Sequence, residues 1–150
     1  MTEEGVRYLV IGGYAVNSHG LSRRTDDFDV WIELSDENAN RVSRAMERFG
    51  CAPREVTPDA FLERNKVIRM GSPPMRLEIL NQIAGVKFSE CYERRVKRDW
   101  GGVVADVIDL DDLIANKRAA GRGKDLADVD GLLRKKATAI KKPERRRRKP

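Results

Sequence analysis

Two aspartates, Asp27 and Asp29, have a type and a spacing that indicate chemistry. They lie in DDFDVWIEL, where apolar and polar residues alternate as they do along a β-strand with one buried face. Residues i and i+2 of a strand project from the same face, with Cβ atoms about 6 to 7 Å apart. Because Mg²⁺ and Mn²⁺ prefer carboxylate and phosphate oxygens, this pair is predicted to bind such a cation. Asp26 has the opposite parity and is predicted to lie outside the site.

Two glycines, Gly12 and Gly13, follow the apolar stretch Tyr8–Ile11 and precede a short predicted helix. Glycine lets the backbone turn sharply and approach a ligand closely, and backbone N–H groups at such a turn favour an anion. A glycine pair alone is weak evidence, because a tight strand-to-helix turn that only packs explains it better. Gly13 and Asp27 are only 14 residues apart, however, each at the edge of a neighbouring predicted strand. Together they indicate a phosphate-binding site.

A third carboxylate is needed if two cations are to be held around an attacking and a leaving oxygen, as in two-metal phosphoryl transfer. Glu78 in MRLEIL and Asp106 in VVADVIDL both stand between apolar neighbours on predicted strands. Glu78 is the favoured candidate because its predicted hairpin, residues 66–80, directly follows the acidic strand. Asp106 stays open as the alternative, and either residue can also be an exposed strand acid.

Basic residues cluster in NKRAAGRGKDLADVD, where one predicted helix ends and another begins; they are Lys117, Arg118, Arg122 and Lys124. Lys117 lies on the apolar face of its helix, so its stem can cross apolar surface while its ammonium reaches a cleft. We expect Lys117 to bind the phosphates of a triphosphate. A structural ion pair with Asp125 or Asp128, joining the last two helices, is the alternative, and it also applies to Arg122 and Lys124.

Short strands and helices that alternate along the chain must position these residues. Hydrophobic periodicity and turn residues predict strands at residues 8–11, 28–34, 66–70, 75–80 and 103–108. Periodicity and capping residues predict helices at residues 14–18, 36–49, 58–63, 89–94, 110–120 and 124–133. The predicted fold class is α/β in the broad sense, or α+β in stricter use, with helices packed on a small mixed sheet.

The composition predicts one globular domain with a basic end. The 150 residues are 40% apolar and 36% charged, and residues 135–150 contain nine Lys or Arg against one acidic residue. This segment carries +8 of charge, whereas the whole chain carries +6 and residues 1–134 therefore carry −2. We predict a folded domain over residues 1–134 and a basic, disordered tail over residues 135–150. The tail either keeps the protein in solution or tethers it to RNA or DNA.

The sequence predicts a cytoplasmic protein without a membrane partner. It has no apolar run near the roughly 18 residues that a membrane span needs. Its acidic first residues are unlike a secretory signal. The two cysteines, Cys51 and Cys91, have no metal-binding spacing and suit a reducing compartment.

The motifs together resemble a known superfamily. They are YLVIGGYAV, the HG step at His19 and Gly20, R-x-T-x-D-x-D from Arg23 to Asp29, MRLEIL, and DLIANKRAAGRGKDLAD. In this combination, over roughly residues 6 to 133, the chain is similar to nucleotidyltransferases of the DNA polymerase beta type. Within them it resembles the small prokaryotic branch that includes minimal nucleotidyltransferases and abortive-infection type toxin enzymes.

The resemblance implies a polymerase-beta-like fold and the transfer of an NMP group from an NTP to a hydroxyl or phosphate, with release of pyrophosphate. It implies that Gly12 and Gly13 contact phosphates and that Lys117 steadies the triphosphate. It also implies two Mg²⁺ or Mn²⁺ ions on three carboxylates, namely Asp27, Asp29 and Glu78. Glu78 would additionally help to deprotonate the acceptor. This third position is more often Asp in such proteins, and the longer Glu can reposition the second cation.

The acceptor and the cellular role are open at this stage. RNA, in particular a tRNA end, and a protein are the leading acceptors. A toxin component with a partner antitoxin is one alternative, and a catalytically silent nucleotide or nucleic-acid binding module is another. His19 is expected to pack or cap rather than to contact a base or an acceptor. Trp31 shares the parity of the acidic pair and is a candidate to stack on a nucleobase, whereas Trp100 is expected at a turn.

Overall fold

The structure is a computed structural model, and it describes residues 4–72 and 76–147, with side chains to residue 140. These ranges contain six β-strands: β1 (Tyr8–Ile11), β2 (Asp27–Ile32), β3 (Val67–Met70), β4 (Arg76–Leu80), β5 (Val96–Trp100) and β6 (Val103–Val107). They contain six α-helices: α1 (Gly12–Ser18), α2 (Asp36–Arg48), α3 (Pro58–Leu62), α4 (Phe88–Glu93), α5 (Leu110–Ala120) and α6 (Gly123–Arg147). A short 3₁₀ helix at Pro53–Glu55 connects α2 to α3.

All six strands form one mixed sheet in the order β3-β4-β2-β1-β6-β5. The pairs β2–β4 and β1–β6 are parallel, and the pairs β1–β2, β3–β4 and β5–β6 are antiparallel. All four residues of β1 are buried, as expected for a central strand that is covered on both faces. The fold is therefore α+β, a mixed sheet with helices packed on it, as the sequence predicts.

Every strand and helix predicted from the sequence has a counterpart in the structure. The predicted hairpin at residues 66–80 is confirmed, because β3 and β4 are antiparallel neighbours. Ser35 and Asp109 cap α2 and α5 through their side-chain oxygens, which accept backbone N–H groups of the first turn. Met75, the first residue of the predicted fourth strand, and residues 73–74 of the turn before it lie outside the described residues.

One strand, β5, is missing from the sequence prediction, which placed Trp100 at a turn. β5 is antiparallel to β6, and Gly101 and Gly102 join them with φ angles of +64° and +92°. Two consecutive residues with positive φ fit a type I′ hairpin turn, so the Gly-Gly pair is a signal that could have identified this hairpin. The strand escaped prediction because three of its five residues are charged, a composition typical of exposed sheet edges.

The last helix is longer than the sequence predicts, because α6 ends at Arg147 rather than near Leu133. Residues 134–142 are rich in Lys, Arg and Ala, which favour helix, so their charge is compatible with a helix as well as with a solvated chain. The division into a domain at residues 1–134 and a tail at residues 135–150 stays a prediction. Neither α6 nor any other helix in the described ranges combines the length and the apolar content needed to cross a membrane.

The core lies between the sheet and the helices that cover it. Its largest fully buried side chains come from strands, helices and the loops that follow them: Phe61, Leu9, Ile32, Ile79, Ile108, Leu113 and Leu132. Burying one side chain of this size stabilises the fold by about 1.5–3 kcal/mol. This packing holds β1, β2 and β4 as a rigid support for the polar residues at their ends.

Candidate functional site

The parallel pairing of β2 and β4 brings the predicted acids together. In its register Asp27 lies opposite Arg76, and Asp29 lies opposite Glu78. Residues opposite each other on paired strands project from the same face of a sheet. The neighbouring acids Asp27 and Asp29 at the start of β2 therefore share one small area with Glu78, which is distant from them in the sequence.

The glycine turn lies directly beside this area. Ile11, the last residue of β1, is opposite Asp29 on β2, so Gly12 follows at the level of the Asp29 carboxylate. Gly12 has a φ of +66°, which favours glycine, and a Cβ at this position would overlap Oδ2 of Asp29. A Cβ on Gly13 would lie 2.5 Å from the side chain of Thr25. Both positions therefore require glycine, because a neighbouring side chain lies too close for a Cβ. At Gly12 this neighbour is Asp29, a predicted cation ligand.

Two arginines neutralise two of the three carboxylates. Arg76 donates two hydrogen bonds to Asp27, at 2.7 Å from Nε to Oδ1 and 3.1 Å from Nη2 to Oδ2. Arg69 donates from Nε to Oε1 of Glu78 at 2.9 Å, and Nη2 of Arg76 approaches the same Oε1 at 3.6 Å. The hydrogen bond from Arg76 holds the pKa of Asp27 below its usual value. Asp27 is therefore a stable anion with a fixed partner.

The surroundings of Asp29 disfavour its negative charge, whereas those of Asp27 favour it. Oδ1 of Asp29 is buried and has no hydrogen-bond partner among residues 4–72 and 76–140. Burial, followed by the neighbouring Glu78 carboxylate and the charge of Asp27, raises the pKa of Asp29 to about 7. A carboxyl group with an unpartnered buried oxygen and a raised pKa is one whose negative charge lacks compensation. A bound proton or a bound cation would neutralise this negative charge.

The three carboxylates beside Gly12 meet some of the requirements of a site for a hard divalent cation. Carboxylate oxygens are suitable ligands, Oδ1 of Asp29 is free to accept one, and Gly12 removes the Cβ that would otherwise fill the space beside it. Within residues 4–72 and 76–140, however, no group of three or more His, Cys, Asp or Glu side chains is arranged to hold a metal ion as it stands. The reason is visible in the contacts, since Asp27 and Glu78 face arginines.

Asp106, the alternative third acid, lies elsewhere on the sheet. It is on β6, which is separated from β2 by β1. Its carboxylate is paired with Lys97 Nζ at 2.8 Å and Arg95 Nε at 3.5 Å, both on or beside the edge strand β5. Of the two candidates, Glu78 is therefore the one that the fold places next to Asp29.

Two connected cavities open over the carboxylates. One, of about 300 Å³, is bordered by the glycine turn, by five basic side chains and by four aspartates, and we call it the basic cavity. Its basic side chains are Arg23, Arg24, Lys117, Arg122 and Lys124. The other, of about 360 Å³, extends from Asp29 and Glu78 to an apolar wall, and we call it the acidic cavity. Its apolar wall consists of Val67, Leu80, Ile83, Ala84 and Ala120.

Lys117 lines both cavities, but its ammonium group is already engaged. It pairs with Asp128 Oδ2 at 3.0 Å and Asp125 Oδ1 at 3.3 Å, and its side chain is only 6% exposed. Burial alone would raise the pKa of Asp125, but the hydrogen bond from Arg122 and the charge of Lys117 hold it below its usual value. This geometry is the ion pair between α5 and α6 that the sequence left open as the alternative. Binding of a triphosphate by Lys117 stays a prediction.

The other basic residues divide into those inside the cleft and those outside it. Arg122 and Lys124 line both cavities, but Arg122 also forms the ion pair that the sequence left open as the alternative, with Nε 2.7 Å from Oδ2 of Asp125. Arg24 reaches the basic cavity from the loop before β2, and its side chain is 89% exposed. Arg118 is exposed on α5 but lines neither cavity. Asp26 pairs with Arg24 at 3.5 Å and lies in the loop before β2, as predicted. The prediction that it lies outside the site is wrong, however, because Asp26 lines the basic cavity.

The two aromatic candidates have structural roles. His19 Nε2 lies 2.8 Å from the carbonyl oxygen of Ile108, and burial lowers the pKa of its imidazole, so a neutral His19 donates this bond and fastens α1 to the end of β6. Trp31 is only 2% exposed and packs edge-on against Phe88, with ring centroids 5.1 Å apart. The expectation that Trp31 stacks on a nucleobase is therefore wrong for this structure, because both faces of its ring are covered.

Sequence reasoning missed the arginines that face the acids. Arg76 stands two residues before Glu78, so strand parity alone would have placed both on one face. That signal was available in MRLEIL. Arg69 could not be found in the same way, because its contact depends on the register of the β3–β4 hairpin, where Arg69 lies opposite Glu78.

Comparisons of the chain with protein-family models and with curated proteins found no match. The assignment of a function therefore rests on the residues and contacts described above and on the resemblance of the motifs.

Proposed function

We propose that this chain is a nucleotidyltransferase with a polymerase-beta-like fold, which moves an NMP group from an NTP to an RNA, such as a tRNA end, or to a protein. One observation carries the proposal. Three carboxylates from β2 and β4, a glycine turn and a cavity lined by arginine and lysine border one continuous cleft. Carboxylates suit a hard cation, and the basic cavity suits the phosphates that such a cation accompanies.

The basic cavity supports binding of the triphosphate. Its glycine turn lets a ligand approach the backbone, since neither glycine carries a side chain there. Arg24, Arg122 and Lys124 lie at its exposed side, where guanidinium and ammonium groups can bond phosphate oxygens. Of these, Arg122 is paired with the buried Asp125, whereas Arg24 is paired, among the described residues, only with the exposed Asp26. The acidic cavity, with its apolar wall, is the place for the nucleoside part.

The proposed reaction is the attack of an acceptor oxygen on the α-phosphorus of the NTP. A new P–O bond forms to the acceptor, the bond between the α-phosphorus and the bridging oxygen breaks, and pyrophosphate leaves with that electron pair. The acceptor loses one proton, which a carboxylate of the cluster takes up; by the resemblance this is Glu78. A bound Mg²⁺ or Mn²⁺ would supply charge neutralisation at the phosphates. Asp29, with its unpartnered buried oxygen, is the first candidate to hold it, together with Glu78; the resemblance adds Asp27, whose two oxygens both accept from Arg76.

A catalytically silent nucleotide-binding module is the second candidate, and one observation favours it. Arg76 and Arg69 occupy Asp27 and Glu78 with short hydrogen bonds, so the carboxylates are partly neutralised without any cation. In such a module the cleft would bind the NTP through its basic cavity and would transfer nothing.

A labelling experiment separates the two. The protein is incubated with each α-³²P-labelled NTP, Mg²⁺ or Mn²⁺, and either bulk tRNA or a protein extract. We expect label in one acceptor fraction, and we expect Asp27→Asn and Asp29→Asn to reduce it by at least 100-fold. Asp130→Asn is the matched control, because Asp130 is exposed on α6 and lines neither cavity. Binding of an NTP without transfer in any fraction would favour the module, and absence of both would contradict the proposal.

A further inference from the structure

The guanidinium of Arg76 stands where the resemblance implies a cation. It binds both oxygens of Asp27, at 2.7 and 3.1 Å, and reaches toward Oε1 of Glu78 at 3.6 Å. It therefore bridges the first and the third acid of the predicted set. A bidentate pair of this kind is geometrically specific and about twice as strong as a neutral hydrogen bond. We propose that Arg76 replaces one of the two cations, so that the site takes a single divalent cation per chain; this rests on the proposed function.

The position of Arg76 is built into the sheet. Asp27 and Arg76 are opposite each other in the parallel register of β2 and β4, as are Asp29 and Glu78. The side chain of Arg76 is about one third exposed, which agrees with a residue held against the strand rather than free in solvent. Because the same register places Glu78 beside Asp29, the arginine and the acid cluster belong to one arrangement of the backbone.

The charges at this point call for one cation and not two. The three carboxylates Asp27, Asp29 and Glu78 together carry −3 when ionised, and Arg69 and Arg76 return +2. Among these five side chains the remaining charge is −1, located at Asp29, whose Oδ1 has no hydrogen-bond partner in the part of the chain that the structure describes. Lys124 lines the same cavity and adds further positive charge, which also disfavours a second cation. A single divalent cation neutralises this charge and leaves +1 to face a phosphate. Two divalent cations would leave +3 in the same small space, where like charges repel strongly.

The three acids also differ in which carboxylate oxygens remain available to bind a cation. Arg76 uses both oxygens of Asp27, whereas the two arginine contacts of Glu78 both involve Oε1. Asp29 offers an oxygen that no group binds. We therefore assign the single cation to Asp29 and Glu78, and Asp27 acts as the residue that positions Arg76.

The number of cations is measured with Mn²⁺. Wild-type protein is titrated at pH 8, by calorimetry and by electron paramagnetic resonance, with and without the four non-hydrolysable α,β-methylene NTPs. We expect one Mn²⁺ per chain, after subtraction of Mn²⁺ bound by free nucleotide, and no spectrum of two coupled ions. Arg76→Gln should bind a second Mn²⁺, show a coupled pair, and bind its first ion at least about tenfold more tightly, because one positive charge has gone.

Two further variants separate charge from geometry and from loss of folding. Arg76→Lys keeps the positive charge but lacks the planar fork, and it should still bind one Mn²⁺. Arg41→Gln makes the same substitution as Arg76→Gln on α2, where Arg41 pairs with Glu37, and it should behave as wild type. Circular dichroism checks that each variant is folded, and Arg76→Met, which also removes the charge and should likewise bind a second Mn²⁺, carries the comparison if Arg76→Gln is not folded.

The outcomes distinguish this inference from the proposed function. Two Mn²⁺ ions in the wild type, with a coupled spectrum, would overturn the single-cation site and leave the transferase proposal standing. One Mn²⁺ in both the wild type and Arg76→Gln would show that Arg76 does not determine the number of bound cations, and it would overturn the proposal that Arg76 replaces a cation. No Mn²⁺ in any variant, with or without nucleotide, would contradict the proposed function and this inference together.

Discussion

Glu78 lies directly opposite Asp29 on the neighbouring parallel strand, and no basic side chain lies opposite Asp29 in the same way. Two residues earlier, the same pairing sets Arg76 against Asp27. Two aspartates on the same face of one strand therefore differ in how readily they ionise. The pKa of Asp27 is held low by Arg76, whereas that of Asp29 is raised to about 7 by burial and by Glu78.

This difference predicts how stability depends on pH in the absence of cations. Because the pKa of Asp29 is higher in the folded chain than its usual 3.8, the folded state binds more protons between about pH 4 and pH 7. The free energy of unfolding contributed by Asp29 is complete below that window and is lost as the pH rises through 7. We expect Asp29→Asn to be more stable than the wild type at pH 8, by a few degrees in Tm, with a smaller difference at pH 5.

The measurement is thermal unfolding at both pH values in the presence of a chelator. Titrating groups that do not interact with Asp29, among them His19, are common to both proteins and cancel in the comparison. Asp27→Asn is the matched control, since it removes the partner of Arg76 and should lower the Tm at pH 8. Equal pH dependence in the wild type and in Asp29→Asn would show that Asp29 is not protonated in the folded chain.

The contact of Gly12 with Asp29 predicts a large cost for a single methyl group. In Gly12→Ala the new Cβ would overlap the Asp29 carboxylate, and the φ of +66° would be strained for any residue with a Cβ. We expect a loss of roughly 2–4 kcal/mol in the free energy of unfolding, from strain and overpacking combined. Urea unfolding measures this loss.

Gly101→Ala is the control for this substitution. Gly101 has a φ of +64°, and a Cβ there would meet nothing within 4 Å. It should therefore lose only the strain, about 1–2 kcal/mol. If both variants lost the same stability, the contact between Gly12 and Asp29 would not exist in solution.

The sequence determines the local parts of the site and leaves the pairing of strands undetermined. The parity of Asp27 and Asp29, the place of Asp26 in a loop and the glycine turn all follow from the two-residue period of a strand and from local backbone chemistry. The partners of these residues depend on which strands pair and in which register, and nothing local encodes that. For the same reason the ion pairs of Lys117 could be stated only as an alternative, since they need the angle between α5 and α6.

The ion pairs of Lys117 predict a structural role that is measurable apart from any ligand. Lys117→Met would leave Asp125 and Asp128 buried with only part of their compensation. Removing one partner of a buried pair is strongly destabilising, and we expect a loss of roughly 3 kcal/mol in urea unfolding.

Lys136→Met tests whether burial of the ion pair causes the loss of stability that is expected for Lys117→Met. Lys136 also joins α6 to α5, through Asp111, but its side chain is 41% exposed. The same substitution should cost less than about 1 kcal/mol there. A Lys117→Met protein with unchanged stability and weaker binding of an NTP would instead support the direct contact with the triphosphate.

The division of the basic residues between the inside and the outside of the cleft predicts which of them bind phosphate. Lys124→Gln and Arg24→Gln should each weaken binding of a non-hydrolysable NTP by about tenfold, as expected for the loss of a charge-assisted hydrogen bond. Both losses should shrink at high salt, because these side chains are exposed.

Arg118→Gln should leave that binding unchanged, although Arg118 belongs to the same basic stretch of sequence. The reason is that Arg118 lines neither cavity. Fluorescence titration with a labelled analogue measures all three variants. An equal effect of Arg118→Gln would mean that the stretch attracts phosphates through its total charge and not through the cleft.

The parallel register of β2 and β4 also limits the positions at which the chain can tolerate an insertion or a deletion. Removing or adding one residue within β4 would turn every later side chain of the strand to the other face, and Glu78 would leave the cleft for the interior. The loops on either side can gain or lose residues at small entropic cost. Insertions and deletions that keep the protein active should therefore occur between the strands and stop at their ends.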